Sequence, residues 1–246
     1  HGSACDFMVL GQDKIIEEAK RFAKSKEFKK DLIEKFARSD IYQEDKNPVS
    51  VFMAGSPGAG KTEFSKRFIE IFEKKFSVKI VRIDPDEIRR LFPQYQGNKS
   101  VLVQGASALG VEKLYDWILN HNQNAIIDGT LANYEKSLSN IKRSLDKNRE
   151  VAIFYIFQDP LVAWDFTLKR EVVEGRNIPR EAFIQSFLCS RDNVNKIKKE
   201  LGDNIRLNLV IKNSLNDDED FKMDVDNVEN YLTKRYTGEE LKKIII

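Results

Sequence analysis

The stretch GSPGAGKT, at positions 55–62, constrains the fold more than any other part of the chain. It matches G-x-x-x-x-G-K-[ST] at every fixed position, and it lies between the apolar run 49–54 and a helical pattern over 62–75. In a strand–loop–helix context the glycines let backbone N–H groups turn toward phosphate oxygens, and the helix adds its positive N-terminal end. We therefore expect a nucleotide-binding loop built from Gly55, Ser56, Pro57, Gly58, Ala59, Gly60, Lys61, Thr62 and Glu63.

The chemistry of such a loop assigns separate tasks to Lys61 and Thr62. The lysine is expected to reach the β- and γ-phosphates, and the threonine hydroxyl is expected to hold Mg²⁺. ATP and GTP both fit this arrangement. A guanine-specific site is usually accompanied by Asn-Lys-x-Asp after a strand, and the sequence has no such stretch. ATP with Mg²⁺ is therefore the expected cofactor pair.

Strand-like and helical segments alternate along the rest of the chain. Further strands are predicted at 78–83, 124–128, 151–157 and 205–211, and further helices at 99–120, 132–147, 160–174, 179–201 and 225–234. Continuous apolar strands that alternate with helices are typical of a parallel sheet covered on both faces. We therefore expect an α/β fold with a five-stranded parallel sheet.

The first part of the chain has a different character. Residues 1–5 are expected to be a remnant of cloning, and residues 6–44 a helical N-terminal extension before the main domain, 45–246. Within the extension, two sets of apolar residues recur at helical spacing: Ile15, Ala19 and Phe22, and Phe28, Leu32 and Phe36. Two interpretations stay open, since these helices could pack on the core or dock a partner.

Bulk composition excludes several classes of protein. The 41 Lys and Arg nearly balance the 39 Asp and Glu, so no general attraction to nucleic acid is expected. The two cysteines lie far apart, which is typical of a reducing compartment, and we expect a cytoplasmic protein. The longest apolar runs have the length of a strand, so no membrane span is predicted.

Two features distinguish a kinase from a water-activating ATPase or switch. A kinase of this class needs a carboxylate after the strand that follows the loop helix, and arginines on a mobile lid. Asp86, in IDPDEIR, meets the first demand, while Asp84 is expected to cap a short helix over 86–91 with Pro85 at its first position. The lid is expected around 160–182, with candidate arginines Arg170, Arg176 and Arg180. A solvent-exposed helix face is the alternative interpretation of these arginines.

The ordered set GSPGAGKT, IDPDEIR, DGT and KREVVEGRNIP, spread over roughly 45–215, resembles the zeta toxins. These are P-loop kinases of toxin–antitoxin systems, and they phosphorylate the 3′-hydroxyl of UDP-N-acetylglucosamine. The resemblance implies a P-loop kinase fold with strand order 2-3-1-4-5. It also implies a nucleotide-sugar substrate and an antitoxin partner.

Site roles follow from the resemblance at the matching positions. Asp86 would be the general base, Lys61 and Thr62 would hold ATP and Mg²⁺, and Arg170 and Arg176 would contact the γ-phosphate. Candidate acceptor contacts, besides Asp86, are Asp128, Thr130 and Asn133.

The chain departs from the family pattern at the acceptor motif. Type members carry Glu where Asp128 stands, and they carry an Arg shortly after the Thr; here Leu131, Ala132 and Asn133 follow. Other hydroxyl acceptors, such as a nucleoside, a dinucleotide or a polynucleotide 5′ end, therefore stay open. So does a nucleotide-dependent switch without an acceptor.

Overall fold

A computed structural model describes residues 4–95, 102–175, 177–213 and 219–246, with side chains from residue 12 onward except that of Glu174. The strands are β1 Val49–Ala54, β2 Ile80–Ile83, β3 Asn124–Ile127, β4 Glu150–Phe157, β5 Arg206–Lys212 and β6 Glu219–Lys222. The helices are α1 Ala4–Lys24, α2 Lys26–Phe36, α3 Lys61–Phe76, α4 Pro85–Arg89, α5 Gln104–Asn120, α6 Tyr134–Leu145, α7 Pro160–Glu174, α8 Arg180–Leu201 and α9 Gly238–Ile244. Among the described helices, none is long and apolar enough to cross a membrane.

The strands form one sheet in the order β2-β3-β1-β4-β5-β6. The first five strands pair in parallel, and their order confirms the 2-3-1-4-5 arrangement. The sixth strand was not predicted; it pairs antiparallel with β5, with Lys212 opposite Glu219. Its sequence, EDFK, carries three charges in four residues, so neither apolar content nor alternation marks it as a strand.

Alternate residues of the sheet pack into different core clusters. Phe52 and Ala54 belong to a cluster shared with helical residues of α2, α5 and α8. Val51 and Met53 point to the other face, where they pack with Phe64 of α3. This period of two along a buried strand is the expected consequence of pleating, and it places helices on both faces as predicted.

The N-terminal helices are part of the main hydrophobic core. Phe28 and Leu32 of α2 are fully buried, and the Phe28 ring lies 4.8 Å from that of Phe92. Gly110 of α5 makes this packing possible, because a Cβ there would lie 2.7 Å from Ile88 Cγ2 and 3.0 Å from Phe28 Cζ. The apolar faces of these helices therefore serve packing, the first of the two interpretations.

The end of the chain differs from the prediction of a helix over 225–234. That segment contains only a short 3-10 turn at Val228–Tyr231, and its residues Val225, Val228 and Leu232 are buried against the main core. The helix begins later, after Thr237, whose side chain and that of Glu240 form a capping box. An apolar spacing of three to four residues predicts a helix, but the chain uses these side chains to anchor a non-helical segment on the core.

The last segment of the sequence, residues 236–246, contacts α7 and α8, the two helices around the predicted lid. Arg180 Nε donates to the carbonyl of Ile245 at 2.6 Å, and Trp164 Nε1 donates to that of Ile246 at 3.0 Å. Tyr236 donates its hydroxyl to Asp159 Oδ2 at 2.8 Å, and Asp159 caps α7. The N-terminal parts of α7 and α8 are therefore hydrogen-bonded to residues 236–246.

Candidate active site

The glycine-rich loop has the backbone that its sequence predicts. Gly55, Gly58 and Gly60 have φ values of 136°, 73° and 81°, a region that favours glycine. A Cβ on Gly58 would overlap the carbonyl oxygen of Ala163, so this glycine also lets α7 approach the loop closely. The ammonium of Lys61 donates to the carbonyls of Gly55 at 2.9 Å and Ser56 at 2.6 Å. Lys61 is thus folded back along the loop, at the carboxyl end of β1.

The two aspartates of IDPDEIR have different environments. Asp84 is the N-cap of α4, since its Oδ1 accepts from the backbone N–H of Asp86 at 2.8 Å, and Pro85 occupies the first turn. This confirms the predicted cap, although the helix covers Pro85–Arg89 and not 86–91. The side chain of Asp86 is 30% exposed, against 13% for Asp84. Of the two carboxylates, Asp86 is the more accessible to a ligand.

Arginines surround the carboxylate of Asp86. Arg89 Nη1 lies 3.1 Å from Asp86 Oδ1, one helical turn further along the chain. Arg170 Nη2, from α7, lies 3.8 Å from Asp86 Oδ2. The structure therefore brings two sequence-predicted residues together, Asp86 from α4 and Arg170 from α7. Arg89 was not singled out from the sequence, although its i, i+3 spacing from Asp86 is a recognisable signal.

The other two predicted lid arginines lie elsewhere. Arg176 is outside the described residues. Arg180 donates to the carbonyls of Lys242 and Ile245, so its guanidinium is committed to the C-terminal helix.

Asp128, at the end of β3, is 92% buried and lies beside Arg82 of β2. Its Oδ2 accepts from Arg82 Nη2 at 2.5 Å, from Arg82 Nε at 2.9 Å and from the Ser65 hydroxyl at 3.1 Å. Burial raises the pKa of Asp128, although the Arg82 charge acts against this and the Lys61 ammonium also lowers it. Asp128 Oδ1 has no hydrogen-bond partner in the described part of the chain.

Arg82 binds two further carboxylates in the same place. Nη2 lies 2.7 Å from Asp84 Oδ2, and Nη1 lies 2.7 Å from Glu87 Oε1. Burial lowers the pKa of the guanidinium, but the carboxylates, led by Asp128, outweigh this and raise it. Arg82 was not among the predicted site residues, although a charged residue near the end of the predicted strand 78–83 was a visible signal.

The remaining predicted acceptor residues lie in the turn after Asp128. The Thr130 carbonyl accepts from the Gly55 N–H at 3.3 Å, which joins this turn to the glycine-rich loop. Asn133 caps α6, since its side chain accepts from the Lys136 N–H at 3.0 Å. Asn193 of α8, which was not predicted, donates to the carbonyls of Leu131 and Ala132. Among residues described here, no group of three or more His, Cys, Asp and Glu side chains is arranged to hold a metal ion.

A parallel sheet in this order, with a phosphate-binding loop after β1 and a carboxylate after β2, defines a P-loop protein of the kinase-like class. A family model described as Zeta toxin matches residues 33–226. The chain therefore belongs to the zeta toxin family.

Solved structures share the fold. One comes from a study of the PezAT chromosomal toxin–antitoxin system of the human pathogen Streptococcus pneumoniae; it has a TM-score of 0.60 and 20% identity, and the match covers 91% of this chain and 88% of that chain. The AvrRxo1-ORF1:-ORF2 complex, in native form and with ATP, matches with a TM-score of 0.60, 17% identity, and coverage of 95% and 71%. A comparison with curated protein sequences gave no match.

Proposed function

We propose that this protein is an ATP-dependent kinase that phosphorylates a hydroxyl group of a nucleotide sugar, with UDP-N-acetylglucosamine as the acceptor, and that it acts as a toxin. The observation that carries this proposal is the 3.8 Å approach of Arg170 to Asp86. In phosphoryl transfer, the base that takes the acceptor proton and the arginine that neutralises the transferred group meet around one phosphoryl position. These two residues come from different elements, and they meet at the edge of the sheet that carries the glycine-rich loop.

The nucleotide is proposed to be ATP, bound by residues 55–63. Backbone N–H groups of the loop and the start of α3 would hold the phosphates, and Lys61 would leave its loop carbonyls for the β- and γ-phosphates. ATP in one of the AvrRxo1 complex structures supports this choice for the shared fold.

Mg²⁺ is the implied metal, and two side chains fit it. Thr62, the second residue of α3, is proposed to bind Mg²⁺ through its hydroxyl. The unpartnered Oδ1 of Asp128 is a second oxygen near the loop, within electrostatic reach of Lys61. Bound Mg²⁺ would neutralise charge on the phosphates.

The proposed reaction transfers one phosphoryl group. The acceptor hydroxyl oxygen forms a bond to the γ-phosphorus, the bond from that phosphorus to the bridging oxygen breaks, and ADP leaves. Asp86 takes the hydroxyl proton late, so its task is mainly to orient the hydroxyl in line. Arg170 and Arg176, on a lid around 160–182, would neutralise the transferring group.

The acceptor is proposed from family membership, with contacts from Asp128, Thr130 and Asn133. The 3′-hydroxyl of UDP-N-acetylglucosamine is the group phosphorylated by zeta toxins. Arg82 and Ser65 occupy Oδ2 of Asp128, so a contact with the acceptor would share Oδ1 with Mg²⁺.

The partner and compartment belong to the same proposal. Toxin–antitoxin systems among the structural neighbours support an antitoxin that binds this chain. Both proposed substrates are cytoplasmic metabolites, which supports action in the cytoplasm. Domain boundaries at 6–44 and 45–246 are also kept as a proposal, with the qualification that both parts contribute to one hydrophobic core.

The test is to incubate the full chain with Mg²⁺, ATP and UDP-N-acetylglucosamine and to analyse the products by mass spectrometry. We expect a sugar nucleotide heavier by one phosphate, together with ADP. Product from another hydroxyl acceptor, but none from this one, would reject the acceptor and retain the kinase. Slow ATP hydrolysis that no acceptor accelerates would instead indicate a switch.

A further inference from the structure

A second lysine lies against the glycine-rich loop, outside the sequence motif. Lys212 is the last residue of β5, and its side chain is 19% exposed. A Cβ on Gly60 would overlap Lys212 Nζ, and it would lie 3.0 Å from Cε and 3.3 Å from Cδ of the same side chain. The lysine stem therefore runs over Gly60 and places its ammonium beside the residue that precedes Lys61.

The charge of Lys212 is only loosely paired. Glu219, directly opposite across the β5–β6 ladder, has its Oε1 3.5 Å from Lys212 Nζ. Hydrogen bonds between an ammonium and a carboxylate are usually about 2.7–2.9 Å long. The other oxygen of Glu219 accepts from Arg67 of α3. Glu219 would therefore keep a cationic partner if Lys212 turned toward a ligand.

We propose that Lys212 is a further nucleotide-binding residue, whose ammonium contacts the diphosphate part of the nucleotide from the β5 side of the loop. The inference rests on the proposed function of the loop. Its motivation is the position of the ammonium over Gly60, where a compact cation can reach phosphate oxygens held by the loop N–H groups. Gly60 is then required twice, for its φ of 81° and for the space that Lys212 occupies.

This role differs from that of the lid arginines. The diphosphate is present in ATP and in ADP, so a contact to it contributes equally before and during phosphoryl transfer. Uniform binding of this kind lowers KM and leaves kcat nearly unchanged. Glu219 competes with the nucleotide for the same ammonium, so removing its charge should not weaken binding.

The test is calorimetric titration of the full chain with ADP in the presence of Mg²⁺. Lys212→Met keeps the apolar stem over Gly60 and removes the charge, and we expect it to weaken ADP binding roughly 10-fold, as for one lost charge-assisted hydrogen bond. Turnover measurements should show a similar rise in the KM for ATP with little change in kcat. Glu219→Gln should retain or increase ADP affinity. Lys222→Met is the control. Lys222 lies on β6 and pairs with the exposed Asp220, so its loss should leave ADP affinity unchanged.

Two results would overturn the inference. Unchanged ADP affinity in Lys212→Met would show that the ammonium does not contact the nucleotide. Weakening by Lys212→Met and Glu219→Gln alike would show that the pair only supports the loop. Lys61→Ala in the same titration tests the phosphate-loop assignment separately from the role of Lys212. If Lys61→Ala loses ADP affinity while Lys212→Met does not, only the role of Lys212 is rejected. Full affinity in Lys61→Ala would reject the phosphate-loop assignment itself.

Discussion

Arg82 Nη2 lies 2.5 Å from Asp128 Oδ2 and 2.7 Å from Asp84 Oδ2, so one guanidinium joins the ends of two neighbouring strands. The same side chain reaches Glu87 of α4 and Ser65 of α3. The end of β3, α3 and α4, which carry proposed functional residues, are thereby held by one cation whose side chain is only 11% exposed. The loss of this cation should therefore affect both stability and its dependence on pH.

Arg82→Met is expected to destabilise the protein by about 3–5 kcal/mol at neutral pH, because Asp84, Glu87 and Asp128 would be left close together without their cation. Burial already raises the pKa of Asp128, and the loss of the Arg82 charge, which lowers it, would raise that pKa further in the folded state. A carboxyl group with a raised folded-state pKa binds more protons when folded, so stability falls as pH rises above its unfolded pKa. Urea denaturation at pH 5 and pH 7 should show a smaller deficit at pH 5.

Asp128→Asn in the Arg82→Met background is the matched control. It removes the most buried of the three carboxylates, and it should recover part of the stability at pH 7 and flatten the pH dependence. An Arg82→Met deficit that is the same at both pH values would show that packing of the arginine stem, and not its charge, stabilises this region.

Asp86→Asn is expected to reduce turnover by about 10²–10⁴, the range for a lost general base. Nucleotide binding should be retained, since the side chain lies on α4 and keeps its size. Asp84→Asn should mainly lower stability, by about 1–2 kcal/mol, because it weakens both the helix cap and the contact with Arg82. Steady-state kinetics and urea denaturation of both variants check this. An active Asp86→Asn variant beside an inactive, folded Asp84→Asn variant would show that Asp84, and not Asp86, is the base.

Arg170→Ala and Arg180→Ala should affect different properties, kcat in the first variant and stability in the second. Arg170 approaches Asp86, and its loss should lower kcat by roughly 10³ if it stabilises the transferring phosphoryl group. Arg180 is bound to carbonyls of the C-terminal helix, so its loss should lower the unfolding temperature and leave most of kcat. Kinetics and thermal denaturation, measured on both variants, separate the two effects. Equal and mild losses of kcat in both variants would favour the alternative interpretation, in which these arginines belong to a solvent-exposed helix face and have no catalytic role.

Phe28→Ala is expected to destabilise the protein by about 3–5 kcal/mol, as for a large buried aromatic side chain. Phe76→Ala is the control, because that ring is 54% exposed and should cost far less. Deleting residues 1–44 should prevent folding for the same reason. A folded, active deletion variant would show that the extension is dispensable, and it would return the docking interpretation to consideration.

The parts of the fold that follow from local pattern were predictable. The loop motif lay between a strand and a helix, and the five parallel strands are mainly apolar because helices cover both faces of the sheet. The sixth strand was not predictable in this way, since β6 lies at the edge and is held by pairing with β5 and by the contacts of Glu219. Local chemistry predicted the cap at Asp84, because the cap needs only neighbouring residues.

The contacts of Arg82 with Asp84 and Asp128 could not be predicted from the spacing of these residues in the sequence. Arg82, Asp84 and Asp128 are separated along the chain by up to 46 residues, and they meet only because β2 and β3 are neighbours in the sheet. Similarly, Lys212 reaches Gly60 through the sheet order and not through proximity in sequence. Contacts of this kind depend on tertiary structure, which a single sequence specifies only indirectly.

The attachment of α7 to the end of the chain has a practical consequence for spectroscopy. The chain has two tryptophans, and Trp164 lies at the base of α7, with its indole N–H bound to the carbonyl of Ile246 and its ring 5.1 Å from that of Phe183. A Trp117→Phe variant would leave Trp164 as the single indole fluorophore. Its fluorescence emission would then report any change in the packing of α7 when nucleotide is added, without an attached label.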